Sequence, residues 1–370
     1  MGGIENVVLN QAQVLVKSGH SVTILTSRLA GNKAIEHHGK IKIVRIPAYN
    51  LLEQKFGIPY PLFSPALAKA VKEEVAKCDV VHSHGHVYLP TILAAFYSKL
   101  FKKTFILTQH NIFVQYKNPL FRHLQTLADN TLGKFSLSRA SRIITVSHES
   151  KKYVRSILKK GREITVSYNG VDVARFKPQK NKTILKKKLS IDAKFVCLTV
   201  RRITFKNGVD TILQAANDLK KNKDILFLIG GRGPDADKVQ KYITANNLQN
   251  VRLLGFVSET ELAEYYAASD LFILPSKSGE GFPLAVLEAF ASGIPVIATR
   301  SGGHVEVIEK DKTGYIVEPD DYKGISRKIS DLFNNKLLTK KMSVFSRKIS
   351  VEKFSWDKNV NQLVSIYQSA

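Results

Sequence analysis

The feature that most constrains this chain is an alternation that runs almost end to end. Short β-branched runs are followed by amphipathic stretches. In the first half the runs are 22–27 (VTILTS), 41–46 (IKIVRI), 79–83 (DVVHS), 104–109 (TFILTQ), 142–147 (RIITVS) and 163–168 (EITVSY). In the second half they are 195–201 (FVCLTVR), 225–230 (ILFLIG), 251–256 (VRLLGF), 271–275 (LFILP), 295–299 (PVIAT) and 314–317 (GYIV). Near-continuous apolar strands separated by helical patterns predict parallel sheets with helices on both faces. A chain of 370 residues exceeds what one hydrophobic core ordinarily serves, so two α/β domains are expected, each Rossmann-like and doubly wound. The rhythm breaks at 169–194, where Asn-Gly, Pro178 and a lysine run read as linker and surface. The expected domains are therefore 1–175 and 176–350. Residues 351–370 form an amphipathic helix with the only tryptophan, Trp356, expected to fold back toward the N-terminal domain.

Composition narrows the class. No apolar run approaches the ~18 residues that span a bilayer, and MGGIENVVLN lacks the basic and apolar regions of a secretory signal. Cys78 and Cys197 each sit beside apolar residues and read as reduced core thiols of a cytoplasmic protein. The formal charge is +25, which favours anionic partners. Residues 1–165 hold 24 basic and 9 acidic side chains, so the first half is the candidate to face acidic lipid or an acidic acceptor. No nucleic-acid recognition motif accompanies the charge, so nucleic acid is not an expected partner.

The first half opens on Gly2-Gly3 and a helix over 4–17. In doubly wound folds a glycine turn before a helix follows a central parallel strand. No residues remain here for that strand, so a strand and loop of roughly ten to twenty residues are expected to be missing.

The stretch richest in chemistry is 276–293, SKSGEGFPLAVLEAFASG. A strand ends at Pro275, a polar glycine-containing loop follows, and Pro283 stands where a helix should begin. Such a helix start is an anion site. Glu280 and Glu288 lie eight residues apart. Carboxylates repel phosphate, so both should face hydroxyls, and a carboxylate can accept two hydroxyl hydrogen bonds from a sugar or ribose diol. Taken alone, the pair reads more simply as a solvated loop residue and a helix charge.

The spacing in EGFPLAVLE (280–288) resembles the Glu-x7-Glu signature of retaining glycosyltransferases of the GT-B fold, family 4. GGIENVVLNQAQVLVKSGHSVTILT (2–26), DVVHSHG (79–85), RIITVSHES (142–150), YNGVDVARFKP (168–178), VRRITFKNGVDTILQA (200–215), VRLLGFVSETELAEYYAASDLFILPS (251–276) and GIPVIATRSGGHVEVI (293–308) are similar to family segments in family order. The resemblance implies two facing domains with a nucleoside-diphosphate sugar held between them. Glu280 would hold the donor sugar hydroxyls, and Glu288 the ribose diol. Backbone around Gly281, Phe282 and Leu284 would hold phosphate or sugar oxygens, with Pro283 unable to donate. Phe256 would lie beside the base, Gly2 and Gly3 beside the diphosphate, and His110 near the reacting sugar.

Departure of a nucleoside diphosphate leaves charge to stabilise, and two fixed cations at a strand end can do this in place of a metal. The family places arginine, four residues, then lysine before glycine; here Asn207 holds that last position. Arg201 restores the spacing to Lys206, whereas Arg202 suits the strand register, so the pair is Arg201 or Arg202 with Lys206. The resemblance implies metal-independent transfer with retention, the acceptor hydroxyl attacking on the side the phosphate leaves and a phosphate oxygen taking the proton. No cofactor beyond the donor is expected. The acceptor is a hydroxyl, lipid-linked where the product is a glycolipid, in cell-surface polysaccharide or glycan synthesis.

Other features have plainer readings. His82, His84 and His86 alternate, which on a strand puts them on one face; they read as cleft lining rather than a metal site. IGGRGP (229–234) lacks the full dinucleotide fingerprint and reads as a strand-to-helix turn. Residues 112–138 mix Phe, Leu and basic side chains, either as a packed cleft helix or as an acceptor or membrane contact. Two other functions share the features: an accessory subunit that binds nucleotide sugar without turnover, and a sugar-nucleotide epimerase.

Overall fold

The computed structural model describes residues 3–28, 31–50, 60–113, 118–158, 161–278 and 281–370. The chain divides into two compact units, one of Met1–Asn169 with Trp356–Ala370 and one of Gly170–Ser355.

The first unit holds β1 (Val22–Arg28), β2 (Ile35–His38), β3 (Ile41–Tyr49), β4 (Leu62–Phe63), β5 (Val80–His84), β6 (Thr104–Gln109), β7 (Arg142–Thr145) and β8 (Ile164–Val166). One sheet runs β1-β3-β2 with β4 paired to β3, and another runs β5-β6-β7-β8. The β1–β3 pair and the whole β5–β8 sheet are parallel, whereas β2 and β4 run antiparallel to β3. Alternate residues of β3 point to opposite faces. Val44 and Ile46 join Phe105, Leu107 and Ile143 under helices Ala66–Lys77 and Leu89–Leu100, with Leu25 and Val81 at the margin. One core thus serves both sheets, although among the described residues no ladder joins them. On the other face Ile41 and Ile43 meet Ala12 of helix Gly3–Lys17. Ile106 and Ile144 meet Leu363 of the C-terminal helix, Trp356–Gln368.

Those two helices are joined by a buried bond, Gln11 Nε2 donating to Asn359 Oδ1 at 3.0 Å. Asn359 Nδ2 donates to the Tyr168 carbonyl at 2.8 Å. Two buried amides satisfied by each other and by backbone hold the last helix to the first unit.

The second unit is one parallel sheet of β9 (Phe195–Val200), β10 (Ile225–Gly230), β11 (Val251–Gly255), β12 (Leu271–Leu274), β13 (Val296–Thr299) and β14 (Gly314–Val317), ordered β11-β10-β9-β12-β13-β14. Phe195, Cys197, Phe227, Ile229 and Ile273 form its core with Ile212 and Leu213 of helix Val209–Asp218 and Ile325 and Ile329 of helix Tyr322–Asn334. Cys78 and Cys197 are free thiols, and burial pushes that of Cys197 well up. Helix Glu259–Ala268 starts at a capping box, Ser258 accepting from the Glu261 amide while Glu261 accepts from that of Ser258. From β9 the chain steps outward to β10 and β11. It then returns to β12, beside β9, and steps the other way. Strand order therefore reverses between β9 and β12, and their carboxyl ends flank a crevice.

All twelve expected strands are present. β2 and β4 were not expected: β2 is four residues, mostly exposed, and β4 is two, so neither has a readable period.

One buried polar cluster fixes the turn Asp129–Gly133. Asp129 lies 3.0 Å from His86 Nε2 and accepts from the Tyr153 hydroxyl at 2.7 Å. Gln109 Nε2 donates to the Asn111 carbonyl, which turns Gln109 Oε1 toward His86 Nδ1 at 2.8 Å. Asp129→Ala leaves His86 and Tyr153 facing an apolar gap. We expect a loss of about 1–3 kcal/mol, the range for leaving a buried hydrogen-bonding partner unsatisfied, in the urea transition of the first unit followed by near-UV circular dichroism.

Candidate functional site

The reversal point of the second unit is built from two loops. One leaves β9 through Arg201 and Arg202 to the short turn Phe205–Asn207, then Gly208 and helix Val209–Asp218. The other leaves β12 through Pro275–Ser278 and resumes at Gly281, Phe282 and Pro283 before helix Leu284–Ala291. The Lys277 amide donates to the Lys206 carbonyl at 3.2 Å. Arg201 Nη1 donates to Ser276 Oγ at 2.9 Å. Thr299, closing β13, donates through Oγ1 to the Ser276 carbonyl at 2.5 Å, and the buried His304 holds the Thr299 carbonyl through Nε2 at 2.8 Å. The first loop is thereby tied to the second, and the second to β13.

Two glycines permit this approach. Gly208 has φ +75, and a Cβ there would lie 1.7 Å from the Pro275 carbonyl oxygen. Gly231, just past β10, has φ +133, and a Cβ there would lie 1.9 Å from the Arg201 carbonyl oxygen. Only glycine combines such angles with such contacts. The IGGRGP segment is thus a turn packed on the Arg201 backbone.

The charges divide into spent and available. Lys277 is engaged by Asp210 at 2.6 Å and Asp320 at 2.5 Å. Arg202 and Lys206 are exposed on the β9 loop. Arg201 rather than Arg202 directs its guanidinium to the β12 loop. Glu288 projects from the second turn of helix Leu284–Ala291. Burial pushes its carboxyl up to about 7, against the opposing pull of the Tyr266 hydroxyl and Arg175. Phe282 is buried, whereas Phe256, just past β11, is 64% exposed with the Arg232 guanidinium 5.3 Å from its ring centre.

Of the expected site residues, Arg201, Arg202 and Lys206 lie on the loop after β9, and Gly281, Phe282, Pro283, Leu284 and Glu288 on the segment after β12, the two loops that leave the reversal point. Phe256 stands two strands away, at the same end of the sheet. Gly3 and His110 belong to the first unit. Gly3 opens helix Gly3–Lys17, and among the described residues a Cβ there would meet nothing within 4 Å. Gly2 and Glu280 lie outside the described residues.

His110 is buried at the end of β6, with Nε2 2.8 Å from His84 Nδ1. His82 bridges the Tyr367 hydroxyl and Thr108 Oγ1, each at 2.7 Å. Burial lowers the pKa of all three, that of His84 to about 4, so at neutral pH the rings are uncharged. In the His84–His110 pair one nitrogen must then donate and the other accept. The expected single face of His82, His84 and His86 holds only for the first two. β5 ends at His84, Gly85 at φ +84 breaks the alternation, and His86 turns to Asp129. Among the described residues no three His, Cys, Asp or Glu side chains are grouped as metal ligands.

Residues 1–175 match the family model described as Glycosyltransferase Family 4, and residues 180–349 match Glycosyl transferases group 1. The chain belongs to the family 4 glycosyltransferases of GT-B fold. A curated relative is N-acetyl-alpha-D-glucosaminyl L-malate synthase of Bacillus anthracis, 26% identical over 99% of this chain and 94% of that protein. Spore coat protein SA of Bacillus subtilis is 24% identical over 95% of each. Among solved structures, sucrose-phosphate synthase from Thermosynechococcus elongatus superposes with a TM-score of 0.82 at 20% identity, covering 100% of this chain and 93% of that one. HepE of Anabaena, solved in complex with UDP and glucose, superposes with a TM-score of 0.79 at 18% identity, covering 100% and 96%.

Several residues of this glycosyltransferase's crevice carry no legible signal in the sequence. Ser276, Thr299 and Tyr266 are ordinary residues until the fold brings them to Arg201, Ser276 and Glu288. His84 was visible in the alternating histidines, but not as the partner of His110, which lies 26 residues on.

Gly208→Ala should lower the melting temperature by several degrees, since the strain exceeds the ~1 kcal/mol of ordinary glycine replacements; differential scanning calorimetry measures it. Glu288 gives a pH signature. The folded form holds this proton more tightly than the unfolded chain, so its stabilising contribution is full below about 4.5 and is lost as the pH rises through about 7. Glu288→Gln should flatten that slope, gaining on the wild type at pH 8 relative to pH 5 in urea titrations.

Proposed function

We propose that this glycosyltransferase is a retaining enzyme that moves a hexose-type sugar from a nucleoside-diphosphate sugar to a hydroxyl acceptor. The observation that carries the proposal is the crevice between β9 and β12. There Arg201, bonded to Ser276, and the exposed Arg202 and Lys206 lie on one side, and the start of helix Leu284–Ala291 with Glu288 lies on the other. Cations and a helix N-terminus together suit a diphosphate. A partly buried carboxyl one turn deeper suits a ribose diol, because it accepts two hydroxyls at once. The crystal structures of HepE with UDP and glucose and with UDP-glucose support a nucleotide-sugar donor.

In this reading Glu288 holds the ribose, and backbone amides around Gly281, Phe282 and Leu284 hold phosphate or sugar oxygens. Phe256 lies against the base. Arg201 or Arg202, with Lys206, takes up the charge that develops as the anomeric C–O bond to phosphate breaks. The leaving phosphate oxygen receives the proton of the acceptor hydroxyl as that hydroxyl bonds to the anomeric carbon from the same side. Glu280 holds the sugar hydroxyls, and the family resemblance assigns Gly2 and Gly3 to the diphosphate and His110 to the sugar. The cations stand in for a metal, so activity should persist in EDTA. The product belongs to cell-surface polysaccharide, glycolipid or glycan synthesis. The location proposed is cytoplasmic, peripheral on the inner face of the membrane.

A panel of UDP-, GDP- and ADP-sugars with hydroxyl acceptors tests this. We expect nucleoside diphosphate to be released in step with a product of retained anomeric configuration, read by proton NMR. Glu280→Gln and Lys206→Ala should each lower kcat by about 10²–10³, the range for losing one group that meets transition-state charge. Isomerised donor, or binding without turnover across the panel, rejects the transfer assignment.

A further inference from the structure

β5 and β6 are parallel neighbours with His84 paired to Thr108, and the Gly85 amide extends the ladder by donating to the Thr108 carbonyl at 2.8 Å. β5 ends at His84 and β6 at Gln109, so His84 and His110 stand side by side at the carboxyl edge of the sheet. That edge is where parallel α/β sheets receive ligands. Strand alternation puts His82 on the same face as His84, with ring centres 4.4 Å apart. The His84 and His110 rings stack at 5.0 Å, their planes 26° apart.

The three histidines differ in what they have left to offer. Both ring nitrogens of His82 are engaged, Nδ1 by the Tyr367 hydroxyl and Nε2 by Thr108 Oγ1. His82 therefore fastens the C-terminal helix and β6 to β5, and has no nitrogen for a ligand. His110 has one nitrogen engaged, Nε2, at 2.8 Å from His84 Nδ1. Its Nδ1 is the nitrogen left to meet a sugar. Two imidazole nitrogens at that distance share one proton, and burial keeps both rings uncharged. The side on which that proton resides decides the character of His110 Nδ1. With the proton on His110 Nε2, Nδ1 is a lone-pair acceptor. With the proton on His84 Nδ1, His110 Nδ1 carries a hydrogen and donates.

The chemistry of the proposed transfer selects between the two. As the anomeric C–O bond breaks, the sugar acquires positive charge, which makes its hydroxyls better donors. A neutral acceptor facing such a hydroxyl binds more tightly as the reaction proceeds, whereas a donor there would oppose it. We infer that His84 is a positioning residue for this reaction: its Nδ1 accepts from His110 Nε2–H, and so holds His110 in the tautomer whose Nδ1 accepts from a hydroxyl of the donor sugar. The inference deepens the transfer reading and rests on the sugar-facing role given to His110 there. It gives the second histidine of DVVHSHG (79–85) a task that alternation along a strand does not reveal.

The experiment reads the tautomer and the kinetics of the full chain. Nitrogen-labelled histidine gives the tautomer from two-bond proton–nitrogen correlations, with His110 assigned by the signals lost in His110→Asn. We expect His110 to be protonated on Nε2 and bare on Nδ1. His84→Phe keeps a ring beside His82 and His110 but removes the acceptor. It should lower kcat roughly ten- to a hundred-fold with the donor KM nearly unchanged, because the lost interaction strengthens only in the transition state. His110 in that variant should shift toward the Nδ1–H form. His84→Asn loses the ring but places an amide oxygen near the position of Nδ1. It should restore the Nε2–H form and bring kcat to within several-fold of the wild type. His110 protonated on Nδ1 in the wild type overturns the inference, and that reading needs no variant of His84 to fold. So does a folded His84→Phe enzyme with wild-type kcat, or a folded His84→Asn enzyme as impaired as His84→Phe, which would give His84 a packing role. A wild type that turns over no donor of the panel rejects the transfer reading and this inference with it. Turnover accompanied by any of the three preceding results rejects the inference alone.

Discussion

The second unit depends on one constraint: strand order reverses between β9 and β12, and the loops leaving those strands are stitched at the Lys277 amide and the Lys206 carbonyl. Parallel strands have their carboxyl ends at one edge, so every loop of functional length emerges on the same side. Reversal then separates two neighbouring loops instead of covering them with a crossover helix. Arg201, Lys206 and the start of helix Leu284–Ala291 share a crevice for that reason. Gly208 and Gly231 are its steric consequence, since backbones brought this near leave no room for a Cβ.

Charge is arranged around the crevice by pairing as much as by placement. The +25 surplus makes cations common, but a cation already held by carboxylates has little to offer an anion. Lys277, whose amide makes the stitch, is engaged by Asp210 and Asp320, while Arg202 and Lys206 stay exposed. Glu288 shows the same logic in reverse. Tyr266 and Arg175 favour its ionised form, and burial outweighs them, so its carboxyl titrates near neutrality. In the first unit, burial keeps His82, His84 and His110 uncharged and turns them into directional hydrogen-bonding groups.

Much of this was legible before any coordinates. The twelve apolar runs appear as strands because a strand buried on both faces must be apolar at nearly every position, which local sequence shows directly. β2 and β4 were invisible: IEHH is exposed, LF is too short to have a period, and both exist through antiparallel pairing with β3. The histidine alternation was legible, but its end at Gly85 was not, because alternation predicts direction only while the strand lasts. That Arg201 rather than Arg202 reaches the β12 loop depends on Ser276, 75 residues away from Arg201.

By itself the sequence determined the α/β class, the two-part organisation and the family, since these rest on local periodicity and on motifs with fixed spacing. Tertiary structure alone decided which polar groups meet: Arg201 with Ser276, His84 with His110, His86 with Asp129, Gln11 with Asn359. It also decided that Leu120, Leu124 and Leu127 face outward, where periodicity shows only that they share a face. Periodicity is a property of neighbours along the chain. Partnership and exposure depend on residues tens to hundreds of positions apart, and only packing brings those together.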